Sequence, residues 1–227
     1  VMTGRYPARL HVTDWIAGHD RPYAKLRIPD WTKHLPREEV TIAECLKAVG
    51  YATASIGKWH LGAEPFYPER QGFDVNIAGT QRGSPASYFG PFKLPGLQSS
   101  SEADYLTERL SLEAEKFIET HKDRPFFLYL PHFAVHLPLQ AREQLLRQYQ
   151  ERAKSTERPF NPVYAAMIRS LDEGVGRVLR KLDDLNLAGR TIVIFASDNG
   201  GLVYEGSRQD AVTSNAPLRA GKGHLYE

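Results

Sequence analysis

The chain has 227 residues, in which 29 Lys and Arg nearly balance 27 Asp and Glu, for a formal net charge of +2. This near-balance gives no reason to expect a polyanionic partner such as nucleic acid. Hydrophobic residues make up 41% of the chain and charged residues 25%, which favours a folded globular protein over disorder. No apolar run approaches the roughly 20 residues that cross a bilayer. The single cysteine, Cys45, excludes an internal disulfide and a multi-cysteine zinc site.

Both ends of the sequence look internal. The chain begins at Val1 without an initiator Met and stops at Glu227, directly after a Gly-rich stretch. We therefore interpret it as a fragment, and a signal peptide upstream would leave no trace in it.

The first half of the chain predicts a helix, a strand and a long loop. Thr41 and Glu44 form a T-x-x-E capping box, which predicts a helix stopped by Gly50. Its predicted buried stripe consists of Ile42, Cys45, Leu46 and Val49. Residues 51–56 predict a strand. Residues 62–103 are rich in Gly, Pro and Ser, and so long a loop usually lines or caps a site.

The second half predicts three helices and two strands. Apolar residues at helical spacing predict a helix in the region 106–118, a short helix over 141–149, and a long helix that begins after Pro162 and that Gly189 closes. The predicted buried residues of the first of these are Leu106, Leu110, Ala114, Phe117 and Ile118. Residues 126–130 and 191–196 are continuous apolar runs, typical of strands buried on both faces. The pattern indicates an α/β fold with a buried, mostly parallel (mixed) sheet sandwiched by helices.

Polar clusters follow the predicted strands, where the chemistry of such sheets gathers. The clusters lie at residues 57–60, 132–138 and 198–201, and a fourth follows at 218–224. Taken singly, each is more often a solvated turn or a structural group than a site. Together they supply lysines, histidines and an Asp-Asn pair. Asp and Asn oxygens suit Ca²⁺ or Mg²⁺, and lysines beside a metal suit an anionic tetrahedral group, with histidines to move protons. This set favours hydrolysis of a phosphate or sulfate ester.

Four ordered segments carry a family resemblance. Residues 50–60 (GYATASIGKWH) resemble the second signature of the type I sulfatases, G-Y-x-T-x-x-I-G-K-W-H, at every specified position. Residues 1–5 (VMTGR) resemble the end of the first signature. Residues 197–201 (SDNGG) are similar to the late metal-binding turn, and residues 217–223 (PLRAGKG) to the P-L-R-x-G-K-G segment. The resemblance covers nearly the whole chain and implies an alkaline-phosphatase-like core, formylglycine-dependent chemistry and an arylsulfatase-like enzyme.

The resemblance implies a role for each matching residue. Lys58 and Lys222 would bind the sulfate from opposite sides. His136 would protonate the leaving alcohol as general acid, and His60 would take a proton from the second hydroxyl of the nucleophile. The implied metal ligands are Asp198 and Asn199, which would hold Ca²⁺ (in some members Mg²⁺).

Four other residues receive weaker interpretations. His132 is either a neighbour of the substrate or a packing residue. Arg5 is expected to brace its loop, and Trp59 to be structural. Cys45 lies outside any C-x-P-S-R context, so we expect it in the core and not as the nucleophile.

Parts of the family pattern lie outside these residues. The nucleophile, a formylglycine made from Cys or Ser by a formylglycine-generating enzyme, is expected upstream of Val1. The first pair of metal-binding Asp residues and a small C-terminal domain are also expected outside the chain. We therefore interpret residues 1–227 as the internal part of an N-terminal catalytic domain, and we expect these residues alone to be inactive on aryl sulfates.

Two alternative functions stay open from the sequence. The first is a phosphodiesterase or phosphonate monoester hydrolase of the same superfamily. The second is a non-catalytic relative that binds sulfated glycans. The paired lysines and the complete G-K-W-H segment favour a sulfatase.

The substrate and location rest on weaker signals. The loop at residues 79–85, with Arg82 as a donor and Tyr88 and Phe89 as stacking faces, either contacts a sugar or merely connects elements. We expect a sulfated carbohydrate, or an aryl sulfate, as substrate. The resemblance also implies a periplasmic or secreted protein.

Overall fold

The structure, a computed structural model, describes residues 1–16, 18, 22–99, 101–157, 160–203 and 212–224. The chain divides into two units, Val1–Phe133 and Ala134–Glu227. Among the described helices, none is long and apolar enough to cross a membrane.

A parallel sheet organises the first unit. In the described residues it has three strands, β1 (Ala52–Ile56), β2 (Val75–Ile77) and β3 (Phe126–Tyr129), in the order β2-β1-β3. Ala54 of β1 is in register with Val75 of β2 and with Leu128 of β3. Every residue of β1 is buried, as the continuous apolar pattern of a central parallel strand predicts.

Two helices flank this sheet on its two faces. Phe127 and Tyr129 of β3 pack with Phe73 on a core cluster that includes Ala43 of helix α1 (Ile42–Ala48). Phe126 points the other way and packs edge-on against Phe117 of helix α2 (Leu106–Thr120). Because side chains alternate along a strand, the two helices lie on opposite faces. The predicted α/β class is confirmed.

Helix α2 buries the face that its spacing predicts. Leu106, Leu110, Ala114, Phe117 and Ile118 are all buried. Ser111 is also buried and satisfies its hydroxyl by donating to the Thr107 carbonyl at 3.0 Å. The amphipathic pattern alone was therefore sufficient for this helix.

The predicted buried face of α1 is wrong, although its start is confirmed. Thr41 accepts a hydrogen bond from the Glu44 amide at 3.1 Å, and the Glu44 carboxylate accepts one from the Thr41 amide at 2.7 Å. However, Cys45 is exposed, and Ala43 is the residue that is fully buried. Two residues correspond to about 200° around a helix, so Cys45 lies on the face opposite Ala43.

The long loop of residues 62–103 contains more structure than its composition predicts. It includes strand β2, a short 3-10 helix at Pro68–Arg70, and two isolated bridges that join Phe89 to Tyr105 and Leu94 to Leu97. A three-residue strand is too short to leave a periodic signal in the sequence.

In the second unit, helices α3 (Glu143–Lys154) and α4 (Pro162–Asp184) pack against each other. Helix α3 runs further than predicted. Helix α4 starts at Pro162, one residue earlier than predicted, because Asn161 caps it by accepting a hydrogen bond from the Tyr164 amide at 3.0 Å. Its predicted end at Gly189 is wrong, since Asn186 takes the left-handed conformation (φ 55°) just after the helix.

The strand predicted at residues 191–196 is absent from the described structure. Its side chains are exposed, with 90% of the Ile192 surface and 75% of the Phe195 surface accessible. An apolar run indicates that its side chains tend to be buried. A strand also needs a neighbouring strand that pairs with its backbone N–H and C=O groups. The described residues of the second unit include helices α3 and α4 but no strand that could pair with it.

His132, the residue directly after Pro131, has both of its ring nitrogens buried. Neither ring nitrogen has a hydrogen-bond partner among the described residues. Burial disfavours the charged form and lowers the pKa of the His132 imidazole to about 4. The residue therefore packs as a neutral ring.

This burial predicts a pH-dependent stability. Between about pH 6.5, the ordinary His pKa, and about pH 4, the unfolded chain binds a proton at His132 that the folded chain excludes. The free energy of unfolding should therefore fall as the pH falls through this window, by up to about 3 kcal/mol from this residue.

Urea denaturation of the full-length protein and of His132→Phe at several pH values tests this expectation. The apolar ring of the variant fills the site without titrating, so its stability should fall less on acidification. Parallel pH profiles for the two proteins would contradict the assignment.

Candidate active site

The carboxyl edge of the sheet holds the predicted functional residues of the first unit. Directly after β1, the Gly57 amide donates to the Ile77 carbonyl at 2.8 Å, and the Lys58 amide donates to the Pro131 carbonyl at 2.7 Å. A Cβ on Gly57 would lie 2.1 Å from the Pro131 oxygen, and Gly57 has φ +131°. Only glycine fits there. The backbone of Lys58 is thereby held at the strand ends, where the sequence places it.

Trp59 anchors the chain between two functional candidates. It is buried, its indole N–H donates to the Phe66 carbonyl at 2.8 Å, and its ring meets Phe73 edge-on at 5.9 Å. Lys58 and His60 on either side are half-buried. The structural role predicted for Trp59 agrees with these contacts.

His60 is held by the loop at residues 79–83. His60 takes the left-handed conformation (φ 54°), and its amide donates to the Thr80 carbonyl at 2.9 Å. Gly83 packs against the imidazole, because a Cβ at that position would lie 2.5 Å from His60 Cε1. The loop therefore fixes both the backbone and the ring of His60.

The same loop carries Arg82. Asn76 holds its beginning: the Gly79 amide donates to Asn76 Oδ1 at 3.0 Å, and Asn76 Nδ2 donates to the Gly79 carbonyl at 3.1 Å. The Arg82 amide donates to Thr80 Oγ1 at 3.2 Å, and the Arg82 side chain is exposed. The structure thus brings Arg82 into the segment that packs on His60.

In the second unit, residues 198–201 form a turn with its polar groups at the surface. Asp198 and Asn199 are exposed. Ser197 Oγ donates to the Asn199 carbonyl at 2.7 Å, and Asn199 Nδ2 donates to the Gly200 carbonyl at 3.1 Å. Oδ1 is therefore the Asn199 side-chain atom that can face a cation. The described residues contain no cluster of three or more His, Cys, Asp or Glu side chains suited to a metal.

The lysine segment at residues 217–223 contacts this turn. The Lys222 amide donates to the Gly201 carbonyl at 3.0 Å. Asn215 bonds both backbone groups of Gly201, at 2.8 and 2.9 Å. Two segments that the sequence singled out separately are therefore adjacent in the fold.

His136 and Arg5 are the remaining residues that the sequence singled out. His136 is half-buried, and its Nδ1 lies 3.3 Å from the Leu137 carbonyl. Arg5 forms an ion pair with Glu39 at 2.5 Å, which is the kind of bracing contact expected of it.

Sequence reasoning missed Asn215, and it singled out the loop of Thr80 and Gly83 without predicting their contacts with His60. Each acts through a backbone group or through close packing, and such roles leave no characteristic residue spacing. The only sequence signal for Asn215 is its position two residues before the segment that starts at Pro217.

Comparisons with known proteins agree with this picture. A family model described as Sulfatase matches residues 1–227. N-acetylgalactosamine-6-sulfatase from Sus scrofa is 32% identical over 255 residues, which cover 100% of this chain and 44% of that protein. The chain thus spans less than half the length of this relative.

Solved structures give the same result. The crystal structure of Ps i-CgsB superposes with a TM-score of 0.77 at 28% identity, covering 100% of this chain and 51% of that chain. Ps i-CgsB in complex with k-i-k-neocarrahexaose matches with a TM-score of 0.76 at 28% identity, covering 98% of this chain and 50% of that chain. The predicted alkaline-phosphatase-like fold class is confirmed. With a family model over all 227 residues and agreement in both sequence and fold, the chain belongs to the sulfatase family.

Proposed function

We propose that the full-length protein hydrolyses sulfate esters of a carbohydrate. The observation that carries this proposal is that the family model spans residues 1–227, so all four polar segments lie inside the match. The relative from Sus scrofa is named as a sulfatase of N-acetylgalactosamine, and Ps i-CgsB was crystallised with an oligosaccharide. Both names support a sulfated carbohydrate as the substrate class.

Two lysines recognise the sulfate group in this proposal. Lys58 lies at the ends of the strands. Its backbone is fixed by the hydrogen bonds of Gly57 and Lys58 and by the close contact of Gly57 with Pro131. Lys222 is half-buried beside the turn at residues 198–201. An ammonium group is a compact charge that suits the oxygens of a tetrahedral anion. Arg82, exposed on the loop that packs on His60, supplies donors for the sugar.

Two histidines move protons. His136 acts as general acid and protonates the oxygen of the leaving alcohol, which would otherwise depart as a poor anion. His60 acts as the base that takes a proton from the second hydroxyl of the nucleophile. Gly83 and Thr80 hold the ring and the backbone of His60 in place for this role. An imidazole suits both tasks near neutral pH.

The oxygen atoms of Asp198 and Asn199 suit Ca²⁺, or Mg²⁺, because hard cations prefer carboxylate and carbonyl oxygens. When bound, such a cation polarises the sulfate. A formylglycine nucleophile, produced by a formylglycine-generating enzyme, completes the proposed site in the full-length protein. The location that we propose for this protein is periplasmic or secreted.

Turnover by the full-length protein tests the proposal. We expect it to release sulfate from sulfated oligosaccharides and aryl sulfates faster than it cleaves an aryl phosphodiester. A chelator should abolish the rate, and Ca²⁺ should restore it. A preference for the phosphodiester would overturn the proposal in favour of a phosphodiesterase. Binding of sulfated glycans without turnover would instead indicate a non-catalytic relative.

A leaving-group comparison tests the role of His136. His136→Gln should slow hydrolysis of a sugar sulfate by roughly 10²–10⁴-fold, the usual contribution of a general acid. An aryl sulfate whose phenolate leaves readily needs no proton, so its rate should fall far less. The exposed His11→Asn serves as the control, and both of its rates should match the wild type. Equal losses on both substrates would contradict the role.

A small side chain at Gly83 should displace the catalytic imidazole. In Gly83→Ala the new Cβ would lie 2.5 Å from His60 Cε1, so the ring must move. We expect kcat to fall by about 100-fold, the cost of a misplacement near 1 Å.

The free energy of unfolding shows whether this loss is local. Gly83→Ala should keep most of its stability, because the ring can move aside. Gly189→Ala is the matched control, since no atom lies within 4 Å of the added Cβ. A wild-type kcat in Gly83→Ala would show that His60 does not need this contact.

A further inference from the structure

The side chain of Asn215 joins two polar segments that are distant in sequence. The Gly201 amide donates to Asn215 Oδ1 at 2.8 Å, and Asn215 Nδ2 donates to the Gly201 carbonyl at 2.9 Å. The Lys222 amide donates to the same carbonyl at 3.0 Å. One glycine is therefore bonded on both backbone groups by a single carboxamide, and its carbonyl also receives the backbone of the candidate sulfate-binding lysine.

The close packing around this carboxamide explains why positions 200, 201 and 221 are glycine. A Cβ on Gly221 would lie 2.4 Å from the Gly201 carbonyl oxygen and 2.6 Å from Asn215 Nδ2. A Cβ on Gly200 would lie 2.8 Å from Asn215 Oδ1, and one on Gly201 would lie 2.7 Å from Thr213. The turn and the lysine segment approach each other too closely for larger residues.

Only asparagine has the chemistry and length for this contact. A carboxamide donates and accepts at once, whereas a carboxylate accepts only. An aspartate at position 215 would keep the bond from the Gly201 amide but face the Gly201 carbonyl with a second oxygen. Asn215 is half-buried, so water competes only in part for these bonds.

We propose that Asn215 is a positioning residue that couples the cation-binding turn at Asp198 and Asn199 to Lys222. This inference rests on the proposed function. In this proposal Asn215 acts through the backbone of Gly201 and not by direct contact with the cation or the sulfate. Asn215 fixes the position of Gly201, which lies three residues after Asp198 and two after Asn199. It thereby sets the distance between these two cation ligands and the backbone of Lys222. Loss of the carboxamide should weaken binding of both the cation and the sulfate ester.

The experiment compares Asn215→Ala and Asn215→Asp with the wild type, each in the full-length protein. Ser214→Ala is the matched control, because it removes the neighbouring side chain, whose hydroxyl accepts a hydrogen bond from the Ala216 amide. Three quantities are measured: amide hydrogen exchange at Gly201 and Lys222, the Ca²⁺ dissociation constant by calorimetry, and KM and kcat for a sulfate ester.

In Asn215→Ala the amides of Gly201 and Lys222 should both exchange faster, although the Lys222 amide donates its hydrogen bond to the Gly201 carbonyl and not to Asn215. The Ca²⁺ dissociation constant should rise by about tenfold or more, since two hydrogen bonds are lost. KM should rise with it. In Asn215→Asp the Gly201 amide should stay protected while the Lys222 amide exchanges faster. Ser214→Ala should match the wild type in all three.

Unchanged exchange at Lys222 together with an unchanged Ca²⁺ dissociation constant would overturn the inference. A global loss of stability in Asn215→Ala would appear as faster exchange throughout the protein, and Asn215→Asp then decides the outcome. If the wild type binds no Ca²⁺ and hydrolyses no sulfate ester, the proposed function fails. The exchange at Gly201 and Lys222 still decides in that case whether Asn215 couples the two segments.

Discussion

The pairing of β1 with both of its neighbours is the constraint on which the first unit depends. At the carboxyl end of β1, the Gly57 amide bonds to Ile77 of β2, and the Lys58 amide bonds to Pro131, two residues after β3. Because β1 is buried on both faces, a one-residue slip would exchange the faces of all its side chains. The register therefore decides where Lys58 emerges from the sheet, and Gly57 makes the close approach to Pro131 possible.

The second unit positions its polar residues in a different way. Strand pairing plays no part in the described contacts of residues 198–203 and 212–224. A side-chain carboxamide replaces it by bonding both backbone groups of Gly201. Such a contact involves few atoms, so a single substitution can remove it. By contrast, the sheet distributes its stability over many backbone bonds and a buried aromatic cluster.

The two lysines proposed to bind the sulfate share one structural feature, a fixed backbone. Each is half-buried and has its amide hydrogen bonded to a carbonyl of another segment, Pro131 for Lys58 and Gly201 for Lys222. A lysine side chain is long and flexible, so a fixed backbone is what limits where its charge can be. Hydrogen bonds fix the backbone of both lysines, which is consistent with the sulfate chemistry proposed for this protein.

The sequence by itself determined the fold class, the family resemblance, helix α2 with its buried face and the capping box at Thr41. These are local properties, set by periodicity, capping residues and side-chain type. It was wrong about Cys45, the end of α4 and the strand at residues 191–196. Only the tertiary structure decided which face of α1 is buried, that residues 75–77 form a strand, and that Gly83 and Asn215 hold His60 and Gly201. These outcomes depend on which distant segments meet, and a local pattern of hydrophobicity carries no information about the partner.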